Sequence, residues 1–258
     1  MSTVPYLILI DADGNTYNFP PSFWLYDIPW DKTTNMEHIS FAHGGHEKAD
    51  AYLNARSITI QGDLRADSVA ALETLERSFK KAIFAGGKLY VSDDSVSRYI
   101  TVGSVKVTES FIGDYRTEKK YTVNYLAEYP FWEANAASTV TQVLAAGLTT
   151  VTVDNSASDI LASPQITITA DQAADPLSVM IVNRSDGAMT FQYVNANFKN
   201  GDVLVIDSKL GTVMRNGNSD IAFVTKCLFP RLQNLSNSIE VTVGGACTLL
   251  ISWRKVYV

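Results

Sequence analysis

The sequence predicts a mainly β protein built as two domains, and three observations predict it. Short apolar segments alternate with polar residues at the two-residue period of a strand with one buried face, as in Arg56-Ser57-Ile58-Thr59-Ile60-Gln61-Gly62. Turn signals recur between such segments, among them Asp13-Gly14, Asn200-Gly201, Asn216-Gly217 and Gly244-Gly245. One stretch alone keeps helical spacing. With 258 residues, the chain has room for two modest cores.

The first domain is expected over residues 1–133, as a β-sandwich or split barrel with one α-helix. Its lead-in is rich in turns and aromatic residues, and Tyr6 to Ile10 reads as a first strand. After the strand at 56–62 comes the helix. From Asp67 as expected N-cap, Val69, Leu72, Leu75, Phe79 and Ile83 recur at spacings of three and four, which stacks them on one face, and Gly86-Gly87 supplies the stop. Lys88 to Ser92, Tyr99 to Val107 and Lys120 to Leu126 then alternate as strands. Beyond Tyr129-Pro130-Phe131-Trp132, the segment Glu133 to Thr141 is small and polar, and it is expected to be the linker.

The second domain, expected over 134–258, has no segment at helical period. Strands are predicted at 149–153, 165–169, 179–183, 189–194, 203–206, 212–215, 238–243 and 248–253. Short strands with tight turns suggest a β-sandwich, built as a jelly-roll or galectin-like pair of sheets.

Composition narrows the function classes. The net charge is −6, and the first 135 residues hold 18 acidic and 13 basic side chains against 9 and 8 in the rest. That balance argues against general nucleic-acid affinity, which uses a basic patch. No stretch reaches the roughly 18 apolar residues of a membrane-spanning helix, and the start lacks a basic n-region and a cleavage site. A soluble protein is expected. Cys227 and Cys247 are too few for a disulfide framework. Two reduced, partly buried thiols are expected, with a single bridge between them as the alternative.

The order of these elements resembles a known family. The strand at 56–62, the amphipathic helix, Lys88-Leu89-Tyr90-Val91, Arg98 to Val107 and the exit through Tyr129-Pro130-Phe131-Trp132 are similar to the N-terminal ring-forming domain of phage distal tail (Dit) proteins. Asn200 to Asp207, Gly211-Thr212-Val213, Asn234 to Val243 and Ile251-Ser252-Trp253-Arg254 resemble the galectin-like C-terminal domain of the same family. The likeness covers nearly the whole chain. One departure is Leu235-Ser236-Asn237, where a glycine is expected.

The resemblance implies a structural virion protein and not an enzyme, without cofactor or membrane insertion. It implies a homo-hexameric ring in the phage tail, assembled in the host cytoplasm, between the tail tube protein and the tip or receptor-binding proteins. DNA would pass through its lumen without specific binding, and an acidic first half is compatible with that, because carboxylates facing a channel repel phosphates.

Candidate chemistry is sparse. His38, His43 and His46 are the three histidines, and His43-Gly44-Gly45-His46-Glu47 offers His43 and His46 as metal-ligand candidates. The two glycines between them favour a loop over the i, i+4 geometry of a helical zinc site. No G-x-S-x-G elbow or phosphate-cradling loop occurs, so no catalytic residue is assigned. Trp253 is the candidate for sugar stacking, weighed against core packing in its strand, and a carbohydrate-binding adsorption module acting through the second domain is the alternative function. Phe23, Trp24, Tyr26 and Trp30 are expected at a subunit interface, since a ring subunit buries a contact on each side.

Overall fold

A computed structural model describes residues 6–27, 55–92, 97–111, 116–171 and 178–258. The chain divides into two compact units, Met1–Trp132 and Glu133–Val258.

The first unit contains β1 (Tyr6–Ile10), β2 (Thr16–Asn18), β3 (Trp24–Asp27), β4 (Arg56–Arg65), α1 (Val69–Ala85), β5 (Gly87–Ser92), β6 (Ser97–Val102), β7 (Val105–Phe111) and β8 (Glu118–Ala127). One antiparallel sheet runs β3-β4-β8-β7, and a second runs through β2-β1-β5-β6. The predicted strand at 99–107 is in fact two strands. The chain breaks at Gly103-Ser104, where Gly103 N donates to Leu126 O at 2.9 Å and Leu126 N donates to Ser104 O at 2.9 Å. This break moves the chain from one sheet to the other.

Alternation places Ile58, Ile60 and Leu64 of β4, Tyr121, Val123 and Tyr125 of β8, and Leu89 and Val91 of β5 in the core. The helix covers them. Its cap is Ser68, whose Oγ accepts from Ala71 N at 3.2 Å, and not Asp67 as expected. Leu72, Phe79 and Ile83 are buried, whereas Val69 is 46% exposed and leaves the predicted stripe. Phe79 meets the rings of Tyr121 at 4.9 Å, Phe23 at 5.3 Å and Tyr17 at 6.0 Å.

Ions tie the helix to the same sheet. Glu76 accepts from Lys80 Nζ at 2.6 Å and from Lys119 Nζ of β8 at 2.7 Å, and Lys80 also reaches Glu109 of β7 at 2.8 Å. Burial alone raises the Glu76 carboxyl, but the hydrogen bonds from Lys119 and Lys80 outweigh it and hold it at about 2.

The short strand β9 (Trp132–Ala134) is followed by the second unit's β10 (Ser138–Leu144), β11 (Gly147–Asp154), β12 (Gln165–Ala170), β13 (Ser178–Asn183), β14 (Met189–Val194), β15 (Val203–Asp207), β16 (Thr212–Arg215), β17 (Asn218–Ser219), β18 (Val224–Cys227), β19 (Ser236–Val243), β20 (Cys247–Trp253) and β21 (Val256–Tyr257). Its two sheets are antiparallel, ordered β10-β20-β12-β15-β16-β17 and β11-β19-β13-β14-β18. The inward residues of β12, β15 and β20 (Ile166, Ile168, Leu204, Ile206, Leu249 and Ile251) are fully buried, as are Ile181, Phe191 and Ile239 of the other sheet.

Two strands depart from expectation for one reason. Part of the expected linker is β10, which pairs with β20 from Ser138↔Trp253 to Leu144↔Cys247. Only Leu144 of β10 is buried, and β18 likewise buries no residue. An edge strand needs backbone partners more than apolar side chains, so it leaves little apolar pattern. Cys227 and Cys247 are both free, one exposed on β18 and the other buried on β20 in the opposite sheet, so the alternative of a bridge falls away. Burial pushes the Cys247 thiol up to about 11.

Two outcomes are expected from the first unit. Leu72→Ala removes a buried side chain and should cost roughly 2–5 kcal/mol in denaturant unfolding; an unchanged midpoint would mean that the helix face is not core. The Glu76 carboxyl is a stronger acid in the folded state, so its contribution is present above about 4.5, its ordinary value, and is lost as the pH falls toward about 2. The stability difference between the native chain and Glu76→Gln should therefore shrink over that window.

Candidate interaction surfaces

Strand β3 sets the aromatic residues that the sequence marks for an interface. Phe23 N donates to Pro20 O at 2.9 Å in a turn that delivers the chain to the sheet, and Ser22 Oγ donates to Asp63 O at 2.6 Å. Close approach requires Gly62, because a Cβ there would lie 2.6 Å from Phe23 Cα. Phe23 is consequently 1% exposed and packs on Phe19 and Phe79, which corrects its expected place on an interface: it is core. Trp24, the next residue, points the other way by strand alternation and is 44% exposed. The side chain of Tyr26 and all of Trp30 lie outside the described residues, as do His38, His43 and His46.

On the outer face of β4 and β8, Thr59 Oγ1 donates to Asn124 Oδ1 at 2.7 Å, and Gln61 stands opposite Thr122. Charges on this face are balanced in register, with Asp63 opposite Lys120 and Arg65 opposite Glu118. Among the described residues no group of three or more His, Cys, Asp or Glu side chains gathers as a metal site would.

In the second unit, Trp253 is 5% exposed and belongs to the inward row of β20. This corrects the sugar-stacking candidate, since a ligand ring cannot lie on a tryptophan face already covered by protein. Asp202 and Asp220 are both engaged by one cation. Arg215 donates through Nε to Asp220 Oδ2 at 3.0 Å and through Nη1 to Asp202 Oδ2 at 3.2 Å. Tyr193 OH and Asn195 Nδ2 also donate to that Asp220 oxygen. Burial acts to raise the Asp220 carboxyl, and these three donors bring it below the usual range. The arrangement closes the β16–β17 edge and holds its carboxylates as acceptors.

Sequence reasoning missed three buried asparagines that shape the loop before β19. Asn155, Asn183 and Asn237 are fully buried. Asn237 donates to Leu235 O at 2.8 Å and Gln233 O at 3.0 Å and accepts from Gln233 N at 2.8 Å. Asn183 Nδ2 donates to Arg231 O and to Asn237 Oδ1, and Asn155 Nδ2 donates to Gln233 O. In the Leu235-Ser236-Asn237 stretch where a glycine is expected, the Asn237 side chain thus supplies partners to the loop backbone at Gln233 and Leu235. Each buried group left unpaired costs about 1–3 kcal/mol, so Asn237→Ala should lower the stability of the second unit by at least about 2 kcal/mol in chemical unfolding, while Ser236→Ala, exposed beside it, should change it little.

Residues 157–257 match the family of the siphovirus-type tail component, C-terminal domain. Among solved structures, the Dit protein of phage SPP1, described as a paradigm of the hub adsorption apparatus in phages that infect Gram-positive bacteria, aligns over 99% of this chain and 100% of its own, with a TM-score of 0.66 and 13% identity. A chain of the phage P2 baseplate in its activated conformation with calcium aligns over 98% of each, with a TM-score of 0.49 and 9% identity. No curated protein sequence matches. Residues 157–257 are thus similar to a siphovirus-type tail-component domain, and in fold the chain is similar along its whole length to a phage distal tail protein.

Proposed function

We propose that this phage tail component is the structural ring that joins the tail tube to the distal tip or receptor-binding apparatus. Six copies close the ring through the first unit, DNA passes through the lumen without specific binding, and the second unit stands as a separate peripheral sandwich of galectin-like type. The observation that carries this reading is the conjunction of a tail-component domain at 157–257 with a likeness of fold to the SPP1 Dit protein that extends over both units. Each unit has its own buried core, as a protein needs if one part forms a ring and the other projects from it. The exposed Trp24 suits the ring contact, because aromatic residues are enriched at interface cores. The acidic balance of the first 135 residues suits a channel for a polyanion.

Negative-stain images of the purified full chain should show a six-fold ring with a central hole. Expressed separately, residues 1–133 should assemble by light scattering to the mass of one ring or of two paired rings, and residues from 136 onward should remain monomeric. An oligomeric second half beside a monomeric first half would move the ring to the other unit, and a full chain that stays monomeric at high concentration would overturn self-assembly into a ring.

A further inference from the structure

The flank of α1 beside its buried stripe carries a pattern of which the fold uses only Glu76 and Lys80. Counted at 100° per residue, Val69, Glu73, Glu76, Arg77, Lys80 and Phe84 fall within about 100° of arc, beside the buried stripe of Leu72, Phe79 and Ile83. Val69 and Phe84 are 46% and 61% exposed, at opposite ends of the flank. Between them Glu73, Glu76, Arg77 and Lys80 line a shallow depression. Glu73 and Arg77 are exposed and enter no ion pair among the described residues.

Read backwards, this flank is its own complement. About the point midway between Glu76 and Arg77, reversal puts Val69 on Phe84, Glu73 on Lys80 and Glu76 on Arg77. Apolar meets apolar and each acid meets a base. A parallel pairing would instead set Glu73 on Glu73 and Arg77 on Arg77, which repel.

We propose that α1 binds a second copy of this chain, the two helices antiparallel about a two-fold axis that passes between Glu76 and Arg77. The contact is isologous, each copy giving the same surface. Burial of Val69 against Phe84 of the second copy supplies the attraction, and the charges fix the direction and register, which is where surface ion pairs act most. Glu76 and Lys80 keep their bonds within the chain, so the interchain partners added are Glu73 and Arg77. The pairing does not rest on the ring reading.

Disulfide trapping tests it on the full chain, with Cys227→Ser to remove the exposed native thiol. Within one chain, positions 69 and 84 are roughly 22 Å apart along the helix, beyond the ~7 Å that a disulfide spans, so a Val69→Cys/Phe84→Cys chain can cross-link that pair only between copies. Mild oxidation should give several-fold more covalent dimer than either single variant. Adding Arg77→Glu, which sets like charges against each other, should lower that yield several-fold, whereas Lys81→Glu, off the flank, should leave it unchanged. All of these positions are exposed, and unchanged melting profiles of the variants confirm that folding is intact. A dimer yield no higher than that of the single variants, or one indifferent to Arg77→Glu, overturns the proposal, whatever the images say about a ring.

Discussion

A sheet with one apolar face must bury that face against a second layer, and both units of this protein follow from that requirement. In the first unit the cover for β4 and β8 includes the helix α1, which packs through Phe79 on Tyr121 and Phe23. The Phe79 ring meets Phe19 and Phe23 of the lead-in, so aromatic contact adds to the strand pairing that holds this turn-rich segment. The space for this comes from Gly62, where any side chain would displace the backbone at Phe23. In the second unit the cover is another sheet, and no helix is needed.

Polar groups complete what apolar packing begins. The buried asparagines of the second unit accept from and donate to the backbone of the loop before β19, and Arg215 holds two carboxylates that would otherwise repel at a sheet edge. On α1, Glu76 gathers two lysines and ties helix to sheet. These networks use their charged groups as acceptors and donors within the fold.

The tail reading joins these features. A subunit of an assembly must present surfaces that are specific without being sticky, and here exposed apolar residues are spread over many elements, among them Trp24 on β3, Val69 and Phe84 on α1 and Val143 on β10. Such a surface leaves a free subunit dispersed and lets oriented contacts form in the assembled state.

The sequence by itself determined the mainly β class, the lone helix with Leu72, Phe79 and Ile83 on its buried face, most of the central strands, and the resemblance to distal tail proteins. These are legible because central strands and amphipathic helices write their burial into a local period. Tertiary structure alone decided the rest. It broke 99–107 between two sheets, since the pattern of alternation is the same whichever sheet a strand joins. It made a strand of 138–144, since an edge strand leaves its side chains exposed and its apolar period blank. It put Phe23 and Trp253 in cores and Trp24 outside, and it gave Asn237 its loop, because what an aromatic or amide side chain meets depends on residues distant in the chain, which no local spacing records.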